Sequence, residues 1–570
     1  MTSRILKPLC GESGSVRLLM ILTAAGVGQA GCENRAGGPA STDAVVQALD
    51  AVTRNGRGLP GSRPVATELA ELRRLYQGSS FTPFWITASG KLRKEGKEAL
   101  RRLATADTEG LRPEDYHAAQ LDSLARRISE GKIADAVMVA RVDAGLSLVV
   151  LEFLRHVHLG RVNPRRIGLS MDPPKDRHDY VALLGAALRD GTLDEIVNEL
   201  APPLAQYRLT RNALAEYRKR QVDTLAERPL RLPVPLQPGD TAQNLGELAR
   251  RLALTGDLET PGDSPPSLRY EGALVEAVKR FQARHGLAPD SVLGKETLEE
   301  LNVPFSWRIH QLELTLERLR WLRDLGNEPF LLVNIPMFEL TAWTSPTAAG
   351  PPAFRTGVIV GKALDTETPV FLEEMRYVIF QPYWNIPPSI VRNETIPAIE
   401  RDREYLDKNG MEIVEGQGDD ADPVDLSGGA LDKVERGELR IRQRPGPGNA
   451  LGPIKFVFPN NQNIYLHGTP AEQLFDRTRR DFSHGCVRVE DPAGLAEWVL
   501  SGLPEWTRDR IDGAMSDPTR TSQRVTLPRP LTVVLFYATA TVEPDGIVRF
   551  ARDIYRHDPE LDRALHLAID

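Results

Sequence analysis

The sequence predicts a multidomain α+β protein: a helical scaffold region, a small three-helix module, and a β-rich domain interrupted by a helical cap insertion. Three observations carry this reading. The 570 residues are too many for one core, at roughly 150 residues per domain. Leucines recur at helical spacing through the first half. Short β-branched and aromatic runs, separated by Pro, Gly and Asn, fill much of the remainder. A 41% hydrophobic, 26% charged composition is ordinary for a globular chain. The net charge of -7 comes without a long basic run, which argues against a nucleic-acid-binding role.

Residues 1–32 read as an export signal. Arg4, Lys7 and Arg17 precede the apolar run 18–27, which ends in the small residues GVGQAGC. So short a run cannot cross about 30 Å of hydrocarbon as a helix, and no permanent membrane span is expected. Ala30-Gly31-Cys32 resembles the end of a bacterial lipoprotein signal, in which the cysteine is lipidated and tethers the protein to the membrane. Gln29 departs from the aliphatic residue of that pattern, and plain cleavage after Ala30 is the alternative. Residues 33–63, starting ENRAGGPASTD, read as a flexible linker. Export places the chain in the periplasm or cell envelope. The mature chain then keeps at most Cys32 and Cys486, too few for an internal disulfide framework.

Residues 64–230 read as the helical scaffold domain. Leu69, Leu72 and Leu75, then Leu100 and Leu103, then Leu146, Leu148, Leu151 and Leu154 mark the apolar faces. TEGLRPEDYH and HLGRVNPRR are Gly/Pro-punctuated connections. His117, His156, His158 and His178 are scattered through this region and read as structural or surface groups. The prolines of LPVPLQPGD mark a boundary. In the module at 234–304, Leu245, Leu248 and Leu252 share one helix, Leu274, Val278 and Phe281 share another, and HGLAPDSVLG turns into a third. Its stretches AVKRFQARHGL and LGKETLEELN resemble the peptidoglycan-binding domain of bacterial wall enzymes; a plain packing pair of helices is the alternative. Residues 305–327 are a connecting helix with Ile309, Leu312, Leu316 and Leu319 on one stripe.

From 328 to 515 the texture is β. FLLVNI, FELTAW, RTGVIV, RYVIF, IKFVF and IYLHG read as strands, and TVVLFY continues the pattern within 516–570, the segment that completes this region. Asp545-Gly546 predicts a hairpin turn before IVRF. Residues 392–439 break the strand pattern with a helical stretch and the acidic, Gly-rich EGQGDDADPVDLSGG, and read as a cap over a nearby site.

The chemistry gathers in DFSHGCVRVED. Alternation puts Val487 and Val489 on one strand face and Cys486, Arg488 and Glu490 on the other. Gly485 permits a tight turn that exposes backbone amides beside the sulfur, as an oxyanion hole needs. Three readings compete: a buried core thiol, a zinc site from His467, His484 and Cys486, and a nucleophile. A thiol is mostly protonated near neutral pH, so the third needs a base. His484 is two residues away across a glycine, and His467 ends the neighbouring strand.

HGTPAEQLFDRTRRDFSHGCVRVED resembles the signature of bacterial L,D-transpeptidases with a YkuD-type catalytic domain: a His, a spacer of fifteen, then Ser-His-Gly-Cys, an aliphatic residue and Arg. QPYWNIPPSI, YLDKNGMEIV and RQRPGPGNALGPIKFVFPN resemble further blocks of the large, multidomain members, so the likeness covers most of 64–556. Asp491 stands where many members have Asn. The resemblance implies that Cys486 attacks a peptidoglycan tetrapeptide stem, releases D-alanine and passes the acyl group to an amine of a second stem. It implies His467 as general base, the Gly468 carbonyl as its orienting group, and the amides of Gly485 and Cys486 as oxyanion donors. Ser483, His484, Arg488, Tyr465 and Trp384 would shape the substrate groove. No cofactor is implied, because the thioester stores the energy of the cleaved bond, and carbapenems are expected to acylate the thiol. Hydrolysis, attachment of a lipoprotein, or an idle wall-binding scaffold are the alternatives.

Overall fold

The computed structural model describes residues 41–567 apart from 62–63, 134, 222–227, 260–267, 364–365, 428 and 518–521. The expected export signal and Cys32 lie outside them. Among the described residues no helix is long and apolar enough to cross a membrane.

The first described element corrects the reading of 33–63 as a flexible linker. Thr42–Asn55 is a helix, capped at its start by the Ser41 hydroxyl and at its end by Gly56 in the left-handed region. Val45, Ala48, Leu49 and Val52 recur at helical spacing and are buried. The small polar residues just before it masked that periodicity. It packs on the 24-residue helix Ala136–Leu159, which runs through the middle of the scaffold and is buried along most of its length. Asp143 within that helix is fully buried and accepts from the amides of Phe84, Trp85 and Ile86 and from the Tyr76 hydroxyl. A buried carboxylate is tolerated only with such a set of donors. The connecting helix Phe305–Arg320 joins the scaffold to the β-domain, and these parts share one continuous apolar core.

The β-domain is built from β1 (Phe330–Asn334), β2 (Glu339–Trp343), β3 (Phe354–Gly361) and β4 (Phe371–Phe380), with β9 (Ile454–Val457), β10 (Leu466–His467), β11 (Asp481–Ser483), β12 (Val487–Val489) and β13 (Gln523–Phe536). Their order is β11-β3-β12-β10-β9-β4-β13-β1-β2, and β2 pairs again with β3. The sheet therefore closes on itself, with β3 as the seam. Its first residues pair with β2, Val358 and Ile359 with β12, and Val360 and Gly361 with β11. Residues 516–570 supply the inner strand β13, the hairpin of β14 (Ala540–Val542) and β15 (Val548–Phe550), and the helix His557–Leu567.

The cap is not simply helical. A lobe spanning residues 384–443 has its own apolar core around Ile399, Ile413 and Ile441. Its sheet contains β5 (Trp384–Asn385), β6 (Met411–Glu415), β7 (Asp422–Val424) and β8 (Arg440–Gln443), ordered β5-β8-β6-β7. These strands are short and carry Glu412, Glu415, Arg440 and Arg442 among their apolar residues, so they lack the continuous β-branched runs of the main sheet.

The module formed by Leu245–Thr255, Ala273–Arg284 and Lys295–Leu301 has a separate core around Leu248, Leu252, Val278 and Phe281. It docks on the C-terminal hairpin: Arg284 donates to the Val548 carbonyl at 2.8 Å, and His285 stacks on Phe550.

Candidate active site

Strand register assembles the site. β10 pairs in parallel with β12, so Leu466 faces Val487 and His467 faces Arg488. β10 pairs antiparallel with β9, which sets Lys455 on the other side of His467. Paired residues project from the same face, as do residues two apart. Lys455, His467 and Arg488 thus form a row across the sheet, and Tyr465 and Cys486 lie one step behind it. The Tyr465 and His467 rings are 5.6 Å apart, and the Lys455 ammonium sits 3.6 Å from the Tyr465 ring centroid.

His467 is 5% exposed, and its Nδ1 lies 2.5 Å from the Gly468 carbonyl. That contact makes Nδ1 the protonated nitrogen and leaves Nε2 as an acceptor. Burial, reinforced by Arg488 and Lys455, pulls its pKa down to about 3, so the ring is neutral at physiological pH. The Gly468 backbone packs closely against Gly452. A Cβ at Gly452 would come within 2.7 Å of the Gly468 carbonyl carbon, and Gly452 itself has φ +62°.

Cys486 is half-buried, and burial pushes its thiol pKa up. The backbone and hydroxyl of Tyr465, then Lys455 and Arg488, act in the opposite direction by favouring the thiolate. Sγ donates to the Asn463 carbonyl at 3.6 Å, not to His467. Asn463 presents that carbonyl from the left-handed region, φ +57°. Desolvation holds the Lys455 pKa below that of a free amine. Replacing Lys455 with Met should therefore move the pH midpoint of Cys486 alkylation upward; an unchanged midpoint would show that this charge does not act on the sulfur.

The turn before the thiol departs from expectation. The Gly485 amide, anticipated as an oxyanion donor, is occupied by the Ser483 hydroxyl at 3.2 Å, while the Gly485 carbonyl accepts from Thr368. Gly485 has φ +111°, a conformation that glycine alone adopts easily. In this arrangement Ser483 braces the turn from a buried position. Asp491, the departure from the resembled pattern, accepts from the Gly494 amide at 2.8 Å and caps the helix Pro492–Val499, a role Asn fills equally well.

Two contacts tie the lobe to the site, one from Glu394, which the sequence did not signal, and one from Trp384, which was expected in the groove. His484 is exposed, and its Nε2 lies 2.8 Å from Glu394 of the lobe. Against the larger upward push of burial, Trp384 of β5 acts on the Tyr465 hydroxyl and lowers its pKa slightly. An exposed pair contributes only about 0.2–1 kcal/mol, enough to bias a lobe but not to fix it. Glu394→Gln should leave the unfolding temperature nearly unchanged while accelerating amide hydrogen exchange across residues 391–408; equal exchange would show that the pair does not hold the lobe.

The structure thus brings Cys486, His467, Arg488 and Tyr465 together on one face, keeps Gly468 next to His467, sets Ser483, His484 and Gly485 in the turn beside them, and reaches Trp384 through Tyr465. Lys455, Asn463 and Glu394 were not singled out from the sequence. An isolated lysine inside the apolar strand IKFVF was the available signal for the first of these.

Fold and site together define a modular protein in which a closed β-domain carries one described cysteine, next to a separately cored helical module. Residues 328–510 match the L,D-transpeptidase catalytic domain family (YkuD), 241–301 a peptidoglycan binding domain family, and 70–214 the Scaffold domain family. The chain therefore carries an L,D-transpeptidase catalytic domain and a peptidoglycan-binding domain. It is also 32% identical over 283 residues to a curated Haemophilus influenzae protein whose name places it among the L,D-transpeptidases. That alignment covers 49% of this chain and 55% of the relative, so the chain spans about half the length of the protein it matches.

Proposed function

We propose that the protein cross-links peptidoglycan by cysteine acyl transfer in the cell envelope. The observation that supports this best is the neutral imidazole of His467, oriented by Gly468, on the same sheet face as Cys486. In the resting state both thiol and imidazole are uncharged. Sγ leaves the Asn463 carbonyl and attacks the carbonyl carbon between diaminopimelate and the terminal D-alanine of a donor stem. As the S–C bond forms, the thiol proton passes to His467 Nε2. The C–N bond then breaks, and the same proton goes to the departing D-alanine amine. An amine of a second stem attacks the thioester, its proton moves through His467, and the thiol is restored.

The Cys486 amide is the oxyanion donor in this scheme, and the Gly485 amide joins it only when released from Ser483. Arg488 and Lys455 offset the negative charge of the intermediate from a desolvated position. Arg488, Tyr465, Trp384 and His484 shape the groove, and the lobe covers it. Residues 241–301 hold the substrate strand.

Incubation with disaccharide-tetrapeptides followed by mass spectrometry tests the proposal. Cross-linked dimers with loss of one D-alanine are expected. Tripeptides alone would instead mark a carboxypeptidase, and no product would overturn acyl transfer. A carbapenem should add one mass adduct at Cys486, and folded protein that stays unlabelled would count against a reactive thiol.

A further inference from the structure

A cleft of about 640 Å³ opens between the peptidoglycan-binding module and the β-domain. The module contributes residues 283–287, from the end of the AVKRFQARHGL stretch. The β-domain contributes 336–338 and 476–480, and residues 549–556 complete the lining. Neither Cys486 nor His467 lines it, so this is a second place on the molecule.

Its charge is unusual for this chain. Seven arginines line it against three carboxylates, Glu296, Asp476 and Asp553, whereas the whole chain has a net charge of -7. Four of these arginines are committed internally: Arg284 pairs with Asp257 at 2.5 Å, Arg479 with Asp481 at 2.6 Å, Arg549 with Glu339 at 2.9 Å, and Arg552 with Glu300 at 3.8 Å. Others are not. Arg477 and Arg556 are exposed, and among the described residues neither has a carboxylate within ion-pair distance. Arg480 donates to the carbonyls of Phe475 and Phe338 and feels the charges of Glu490 and Glu339, but its buried Nε has no acceptor. Asp553 is held by the Tyr537 hydroxyl and the amides of His557 and Asp558, from which it accepts. The walls are held in place, since Arg284 and His285 of the module are docked on β15 and its neighbours.

We infer that this cleft binds the carboxylates of peptidoglycan stem peptides along a strand held by the module, apart from the stem that reacts. The inference rests on the proposed function for its choice of substrate. Guanidinium forks match carboxylates in two-point geometry, and here they are spread along an open cleft with acids between them rather than converging on one point, as a single phosphate would need. One wall is the module's own motif, so a strand held by the module passes the arginines. Arg479 and Arg480 lead directly into β11 and the Ser483–Cys486 turn, which places such a strand beside the reacting segment.

The test uses the full chain as Cys486→Ala, so that nothing turns over, and soluble disaccharide-tetrapeptides as probe, with the same fragments carboxyl-amidated as control. Calorimetry should show binding of the acidic fragments that weakens with added salt. Adding Arg477→Glu and Arg556→Glu should weaken it by on the order of tenfold or more, while amidated fragments bind weakly to either form. Equal binding by both forms, equal binding of amidated fragments, or full displacement by equimolar inorganic phosphate would overturn the inference. Both arginines are exposed, and coincident thermal unfolding curves check that the fold survives; the salt dependence of the parent needs no variant. Carbapenem acylation of the unaltered chain reports Cys486 separately. Acylation without cleft binding rejects the cleft alone, and cleft binding by a chain whose thiol stays inert rejects acyl transfer alone.

Discussion

Cys486→Ala should abolish transfer and leave the fold standing. Losing the nucleophile of a triad-type site costs on the order of 10⁶-fold in rate, because the covalent intermediate has no substitute. The structural cost is small by comparison. Sγ is half-buried, donates one long hydrogen bond to Asn463, and lies at the edge of the core rather than within it. Truncating such an atom costs on the order of 1 kcal/mol. The measurement is dimer formation from tetrapeptide fragments by mass spectrometry, beside a thermal melt. Retained turnover by the variant would remove Cys486 from the mechanism.

The second large effect belongs to His467. His467→Gln keeps a polar side chain beside Gly468 but cannot take the thiol proton, a loss typically of a hundred- to ten-thousand-fold. The pH dependence makes the test specific. With the imidazole pKa pulled down to about 3, the base is already unprotonated well below neutrality. The acylation rate of the parent should then show no titration near the ordinary histidine value of about 6.5. The variant should recover as pH rises and thiolate forms unaided, late because burial raises the thiol pKa. His484→Gln, which alters a contact to the lobe, should lose less and show no such alkaline recovery. If His484→Gln is the one rescued by alkali while His467→Gln stays active, the base assignment is reversed. The same depression has a cost in folding. The unfolded imidazole binds a proton below about 6.5 and the folded one only below about 3, so His467 withdraws stability as pH falls through that window and has no effect above it.

Much of this architecture was legible because its signals are local. Leu146, Leu148, Leu151 and Leu154 announced the long scaffold helix, and the β-branched runs announced β1 to β4. The Asp545-Gly546 turn lies between β14 and β15, with Gly546 at φ +88°. Closure of the sheet was not legible, since it depends on β3 dividing its length among three partners, and no residue type records that. The placing of His467 beside Cys486's strand follows the spacing of the resembled motif, yet the state of the thiol, turned toward Asn463, belongs to a loop conformation that the motif does not encode. Glu394 reaches His484 across ninety positions of sequence, beyond any periodicity argument. The helix at 42–55 is a different case. Its pattern of Val45, Ala48, Leu49 and Val52 was present in the sequence, hidden by the polar composition that precedes it.

The place of β13 has a temporal consequence. It inserts between β4 and β1 as an inner strand, and β1 finds it about two hundred residues further along the chain. Until those residues emerge, β1 and β4 each present an unpaired edge, and the ring that carries Lys455, His467 and Cys486 is open. Contacts so distant in sequence form slowly. The main sheet is therefore completed by its own last strand: a chain interrupted between residues 486 and 523 holds the thiol and the imidazole but lacks the strand that closes the ring. Cys486 and His467 are thus both present in the chain before the strand that shuts the ring around them has been made.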